Sequence, residues 1–202
     1  MLSFLAVFAL NVAVTASASA APAWWIETSE GHEELLKGKE EFNKKGEVEK
    51  TFVLKSSALT IECKGLEFRK GFIEGPTVLA AESVELKECK VAKPAECTVE
   101  KGEIDTAKVT STVSQVGSEA VFELKPSTGS VITEFTLTGT KCTLSGKLSV
   151  TGATKGVVLE ASKLTKVKPL LFRGEGELKI GSEPGKVEGQ GNYSATKGWS
   201  FH

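Results

Sequence analysis

The chain predicts an all-β protein, a single-domain antiparallel β-barrel or β-sandwich, with a short irregular or helical N-terminal segment following a signal peptide. Three observations carry this. From Val48 onward apolar and polar residues alternate with period two, which is the signature of strands with one buried and one wetted face. Turn-forming clusters separate the alternating runs: Gly75-Pro76, Lys125-Pro126-Ser127-Thr128-Gly129, Thr138-Gly139-Thr140, Gly152 and Glu183-Pro184-Gly185. No long apolar stripe of helical period intervenes, so parallel βαβ units are excluded, and one-wet-face strands belong to antiparallel sheets.

The elements follow in chain order. Leu2 to Val14 is nearly all apolar, and a small-residue run leads to Ala18-Ser19-Ala20. That apolar run is too short to span a bilayer as a helix but fits the hydrophobic region and cleavage site of a signal peptide, so residues 1–20 are expected to be removed. Residues 21–46 form a distinct opening segment. Trp24 and Trp25 pin it to the body, and Leu35 and Phe42, seven apart, would share one face of a short helix that Gly31, Gly38 and Gly46 interrupt.

Residues 47–202 form the barrel or sandwich, with about eight to eleven strands expected. The cleanest alternation runs Cys142, Leu144, Gly146, Leu148, Val150. A second runs Leu170, Phe172, Gly174, Gly176, Leu178, Ile180, and a third Val187, Gly189, Gly191, Tyr193, Ala195. Weaker versions cover Val109–Val113, Val121–Leu124, Val131–Leu137 and Val157–Ala161. Glycines on an inward face mean either a bend or the close approach of another segment.

Four cysteines, Cys63, Cys89, Cys97 and Cys142, suit two disulfides in an oxidising compartment, out of three possible connectivities. The short loop with Pro94 favours Cys89 with Cys97, which leaves Cys63 to Cys142. Metal binding would need close ligand pairs, and His32 and His202 are the only histidines. No metal and no cofactor are expected.

Charge removes further classes. The formal net charge is −1, and the positive charge is Lys apart from Arg69 and Arg173, so nothing points to nucleic acid. Asp105 is the sole Asp, which excludes calcium loops of the EF-hand or repeat type. A nucleophilic triad needs a positioned base. His32 lies in a charged segment, and Ser200 with His202 lies at the chain end. Glu175 and Glu177, a candidate pair for glycoside hydrolysis, fall on the outward phase of their strand. Asn192-Tyr193-Ser194 matches a glycosylation sequon. Trp24, Trp25 and Trp199 offer an aromatic surface for a ligand, or plugs for the ends of the barrel.

Certain segments also resemble a large group of exported, uncharacterised proteins from soil actinobacteria. The resemblance rests on Leu59-Thr60-Ile61-Glu62-Cys63, Gly71-Phe72-Ile73-Glu74-Gly75-Pro76, Val84 to Val91 with Cys89, Cys97-Thr98, Gly102 to Thr106, and Phe135 to Leu148 with Cys142. It departs at the N-terminus, where a basic start is expected. It implies export and a cysteine framework, and it carries no activity. The expected function is therefore a secreted or cell-envelope-associated, non-catalytic binding module. Its partner would be an unidentified ligand or envelope component, and after signal cleavage it would be a monomer with no membrane span. A barrel carrying a small apolar molecule in an internal cavity is the alternative, and a hydrolase using Glu carboxylates is more distant.

Overall fold

Period-two alternation buries one face of each strand only if neighbouring strands close over it, and here they close completely. The computed structural model describes residues 21–41 and 45–202; the expected signal peptide and Phe42 lie outside the described residues. The strands are β1 (Trp24–Glu27), β2 (Glu33–Leu35), β3 (Lys39–Glu41), β4 (Lys45–Ser56), β5 (Thr60–Glu74), β6 (Val78–Lys93), β7 (Thr98–Val99) and β8 (Ile104–Asp105). They continue with β9 (Val109–Val116), β10 (Glu119–Pro126), β11 (Val131–Thr138), β12 (Gly146–Thr151), β13 (Thr154–Val158), β14 (Thr165–Gly176), β15 (Leu178–Ile180) and β16 (Glu183–Phe201).

All pair antiparallel in one sheet. β4, β5, β6, β9, β10, β13, β14 and β16 follow one another, and β14 pairs β16, which pairs β4 again. The path is a closed eight-stranded barrel, a size whose interior side chains can fill. A side branch of β15, β12, β11 and β7 leaves β16 at Gly185, and an isolated bridge between Thr106 and Thr133 ties it back toward β8. Inward positions are apolar, with Phe52, Phe122, Leu170 and Tyr193 all buried, and outward positions carry Glu and Lys. That is the reverse of a lipid-facing barrel, which shows its apolar face outward. Among the described residues no helix is long and apolar enough to cross a membrane.

The described residues of the opening segment form short strands and no helix. Trp25 lies opposite Ser200 on β16 and opposite Leu35 on β2, while β3 pairs the end of β5. Short, glycine-interrupted segments gain more from the open hydrogen-bonding edges of β16 and β5 than from an isolated helical turn.

The disulfides also differ from the expected pairing. Cys63 is bonded to Cys89 and Cys97 to Cys142. Cys63 and Cys89 are directly opposed in the β5–β6 ladder, both facing inward and buried. After Lys93 the chain leaves β6 to place β7 against β11, and there Cys97 meets Cys142 in the loop after β11. A short sequence loop cannot decide between these pairings, because strand register sets which cysteines meet.

The inward glycines serve close packing. A Cβ at Gly191 would stand 2.5 Å from Leu66 Cδ2 and 3.2 Å from the Phe52 ring; at Gly189 it would meet Phe52 at 2.9 Å. Without those side chains the Phe52 ring reaches the interior and stacks edge-on against Phe172, 5.7 Å between centroids.

Candidate functional site

The three tryptophans converge on one end of the barrel because β1 pairs the last residues of β16. Trp24 faces Phe201 and Ile26 faces Trp199 in register. The Trp24 ring lies 5.0 Å from Trp199 and 4.7 Å from Phe201. Trp24 is 0% and Trp199 1% exposed, so neither presents ring surface to a ligand, contrary to the aromatic binding surface expected of them. They plug the barrel. Trp25, on the outer face, is half-buried and stacks on the His202 ring at 5.3 Å and 15°.

The same end brings a Ser, a Glu and a His side chain together. Ser200 Oγ donates to Glu33 Oε1 at 2.7 Å, and His202 Nε2 stands 3.9 Å from Glu33 Oε2. The order is Ser–Glu–His, whereas nucleophile activation requires the imidazole to take the hydroxyl proton and the carboxylate to stand behind it. Ser200 is also fully buried. The trio fastens β16 to β2. His32 sits in the β1–β2 turn, where its backbone N–H donates to Thr28 Oγ1 at 3.2 Å. Glu175 and Glu177 are exposed on the outside. Among the described residues no group of three or more His, Cys, Asp or Glu is arranged to hold a metal.

Beside the plug lies an open polar groove of about 730 Å³. One wall is the acidic β1–β2 hairpin with Glu27, Glu30, Glu33 and Glu34, and the other brings Lys166, Thr196 and Lys197. Glu27 is held by the Gly198 N–H at 3.0 Å, so its position follows β16 directly.

Under the plug is a side chain that sequence reasoning missed. Lys168 faces inward, paired in register with Tyr193, and is 0% exposed. Its ammonium donates to the Glu160 carbonyl at 2.7 Å and to the Lys163 carbonyl, tying down the turn that precedes β14. The Trp199 ring lies 5.8 Å from Nζ. Burial pulls its pKa down from 10.5 to about 8; the charge of Glu160 opposes this, Lys163 adds to it and Glu33 opposes it. A signal was available: Lys168 is in phase with Leu170 and Phe172, the inward side of the second alternating run.

A second buried ionic group lies on the outer face of β5, β6 and β8. Glu67, Glu85 and Asp105 are successive cross-strand partners. Arg69 reaches Glu85 at 3.1 Å, and Lys87 bridges Glu67 at 2.6 Å and Glu85 at 3.3 Å. Glu85 is 3% exposed because these two long side chains lie over it. The sequon asparagine is also engaged: Asn192 Nδ2 donates to Glu49 Oε1 at 2.8 Å, and Tyr193 beside it is buried.

Inside the barrel an apolar cavity of about 80 Å³ is bounded by Phe52, Leu66, Phe68, Leu170 and Tyr193 among others. Pockets for drug-sized ligands run from about 300 Å³ upward. Comparison of the chain with protein families, with curated proteins and with solved structures gives no match.

Proposed function

We propose that the chain is an exported, non-catalytic binding module that engages a hydrophilic ligand or cell-envelope component through the polar groove at its tryptophan-plugged end. The observation that carries this reading is the groove itself. It sets carboxylates on one wall against Lys166 and Lys197 on the other, over an end closed by Trp24, Trp199 and Phe201. A closed barrel gives such a recess walls of fixed strands, so little ordering entropy is spent on binding. Mixed charge suits hydroxyl-rich or zwitterionic chains better than a polyanion.

Export is supported by the two disulfides, which persist in oxidising compartments, together with the Ala18-Ser19-Ala20 signal and the resemblance to exported proteins. The internal cavity is well below the few hundred Å³ that a drug-sized ligand needs, so a partner of that size or larger would engage the outer surface.

The test is a binding screen of the oxidised protein against glycans and isolated cell-envelope polymers. It is run beside a variant with Lys166→Glu and Lys197→Glu, which makes both walls acidic. Binding by the wild type and its loss in the variant is the expected result. Equal binding by both proteins places the interface elsewhere. N-terminal sequencing of the exported chain should read Ala21 first.

A further inference from the structure

Two hollows inside the barrel lie side by side. The larger, about 80 Å³, is almost wholly apolar. The smaller, about 10 Å³, is bounded by Leu79, Val109, Ser111, Phe122 and Tyr193 among others. Both are walled by Leu124, Leu170, Phe172 and Tyr193, so they adjoin.

Ser111 is the feature that points to an occupant. It faces inward on β9, flanked in register by Leu79 and Leu124, and is 1% exposed. Its hydroxyl has no hydrogen-bond partner among the described residues. Buried polar atoms in folded proteins are almost always partnered, and each exception calls for a reason. Burying a hydroxyl without a partner costs free energy, so the Ser111 oxygen calls for something to meet it.

We propose that the barrel interior binds a small, mainly apolar molecule bearing one hydrogen-bonding oxygen, of the class of short-chain alcohols and ketones, with its chain in the larger hollow and its oxygen at Ser111. Size sets the class. An apolar cavity of about 150 Å³ takes the six carbons of benzene, so about 80 Å³ takes a chain of about three carbons. The apolar wall supplies the affinity, and Ser111 selects an oxygenated guest over a hydrocarbon of equal size. The site is independent of the groove, so either can fail without the other.

The test uses the oxidised protein, methyl-labelled, titrated with 1-propanol and separately with xenon and read by NMR. Both probes should give saturable shifts at the methyl groups of Leu66, Leu124 and Leu170. Ser111→Ala should weaken 1-propanol about fivefold, the worth of one hydrogen bond, and leave xenon unchanged. Leu66→Phe, which fills the larger hollow, should abolish both. Should that variant not fold, the wild-type and Ser111→Ala titrations decide alone. Shifts that never saturate, shifts confined to surface residues, or equal 1-propanol affinity in wild type and Ser111→Ala would overturn the proposal. A lone water held at Ser111 that 1-propanol does not displace would overturn it too.

Discussion

Lys168 makes the stability of this protein depend on pH in an unusual direction. Its ammonium is buried in the barrel end, where desolvation holds its pKa at about 8, against 10.5 for an exposed lysine. The unfolded chain therefore binds this proton more tightly than the folded one. Stability is lowest below pH 8, where both states are protonated and the folded state carries the whole desolvation cost. It rises as pH climbs from about 8 to 10.5, and the effect is spent above that. At ~1.36 kcal/mol per pH unit, the interval between about 8 and 10.5 amounts to about 3 kcal/mol. Tyr193 acts in the opposite sense at the top of this window: burial pushes its phenol well above the ordinary range, so stability is lost as the unfolded tyrosine ionises above about pH 10. The comparison is therefore made against Lys168→Met, which keeps the chain length, removes the charge and leaves Tyr193 in place. Urea unfolding followed by fluorescence of the buried tryptophans at pH 7, 8, 9 and 10 gives the two stability curves. The wild type should gain on the variant by about 2.5 kcal/mol between pH 7 and 10. Parallel curves would refute the reasoning, since they would mean that the amine is as well solvated folded as unfolded.

Other expectations follow from the same packing. Peptide mapping without reduction should recover Cys63 linked to Cys89 and Cys97 linked to Cys142; a Cys89–Cys97 peptide would contradict the β5–β6 register. Removing the Cys97–Cys142 bridge, which spans 45 residues, should cost about 4 kcal/mol on chain-entropy grounds, measured by denaturant unfolding of the Cys97→Ser, Cys142→Ser double variant. Gly191→Val should destabilise by about 1–3 kcal/mol, because its side chain would enter the space of Leu66 and Phe52; an unchanged unfolding midpoint would mean that those side chains have room to yield. Acid should weaken the fold as pH drops through and below the usual carboxylate range. Glu119 beside Arg173, Glu134 beside Lys147 and Glu188 beside Lys186 all have lowered pKa values in the folded state. A melting temperature flat from pH 6 to pH 3 would show those pairs to be inconsequential.

Legibility of the fold varied strand by strand. The runs at 109–113, 131–137 and 187–195 fall inside β9, β11 and β16. The run from Leu170 to Ile180 is buried at Leu170, Leu178 and Ile180, but a register shift on β14 breaks its phase, so that Gly176 is exposed and Gly174 lies against the outward Glu188 and Lys186. The longest hairpin, β5 with β6, was the hardest to read. Its buried positions on β5 switch phase from Ile61 and Cys63 to Leu66 and Phe68, then back to Ile73. Positive φ values at Lys70 and Glu88 mark the bends. A side chain's facing is fixed by its distance from the last such irregularity, and a lysine or glutamate in that conformation leaves no sign in composition. The alternation at Cys142 and Leu144 misled in the other direction, since those residues form a turn and β12 begins at Gly146.

At the barrel end, the sequence offered the tryptophans as a ligand surface or as plugs and did not decide which. Whether Trp24 offers a face or fills a core depends on what stands opposite, and Trp199 stands 175 residues further along the chain. The groove, the Ser200–Glu33–His202 contact and the burial of Lys168 likewise exist only because β1, β2, β14 and β16 meet there. By itself the sequence determined that strands alternate, that antiparallel pairing must cover them and that Cys63, Cys89, Cys97 and Cys142 suit disulfides, because these follow from period, turn chemistry and residue type. Closure into a barrel, the choice of cysteine partners and the groups that surround Lys168 and Ser111 were decided by tertiary structure alone. Each depends on register between distant strands, a quantity that local chemistry does not encode.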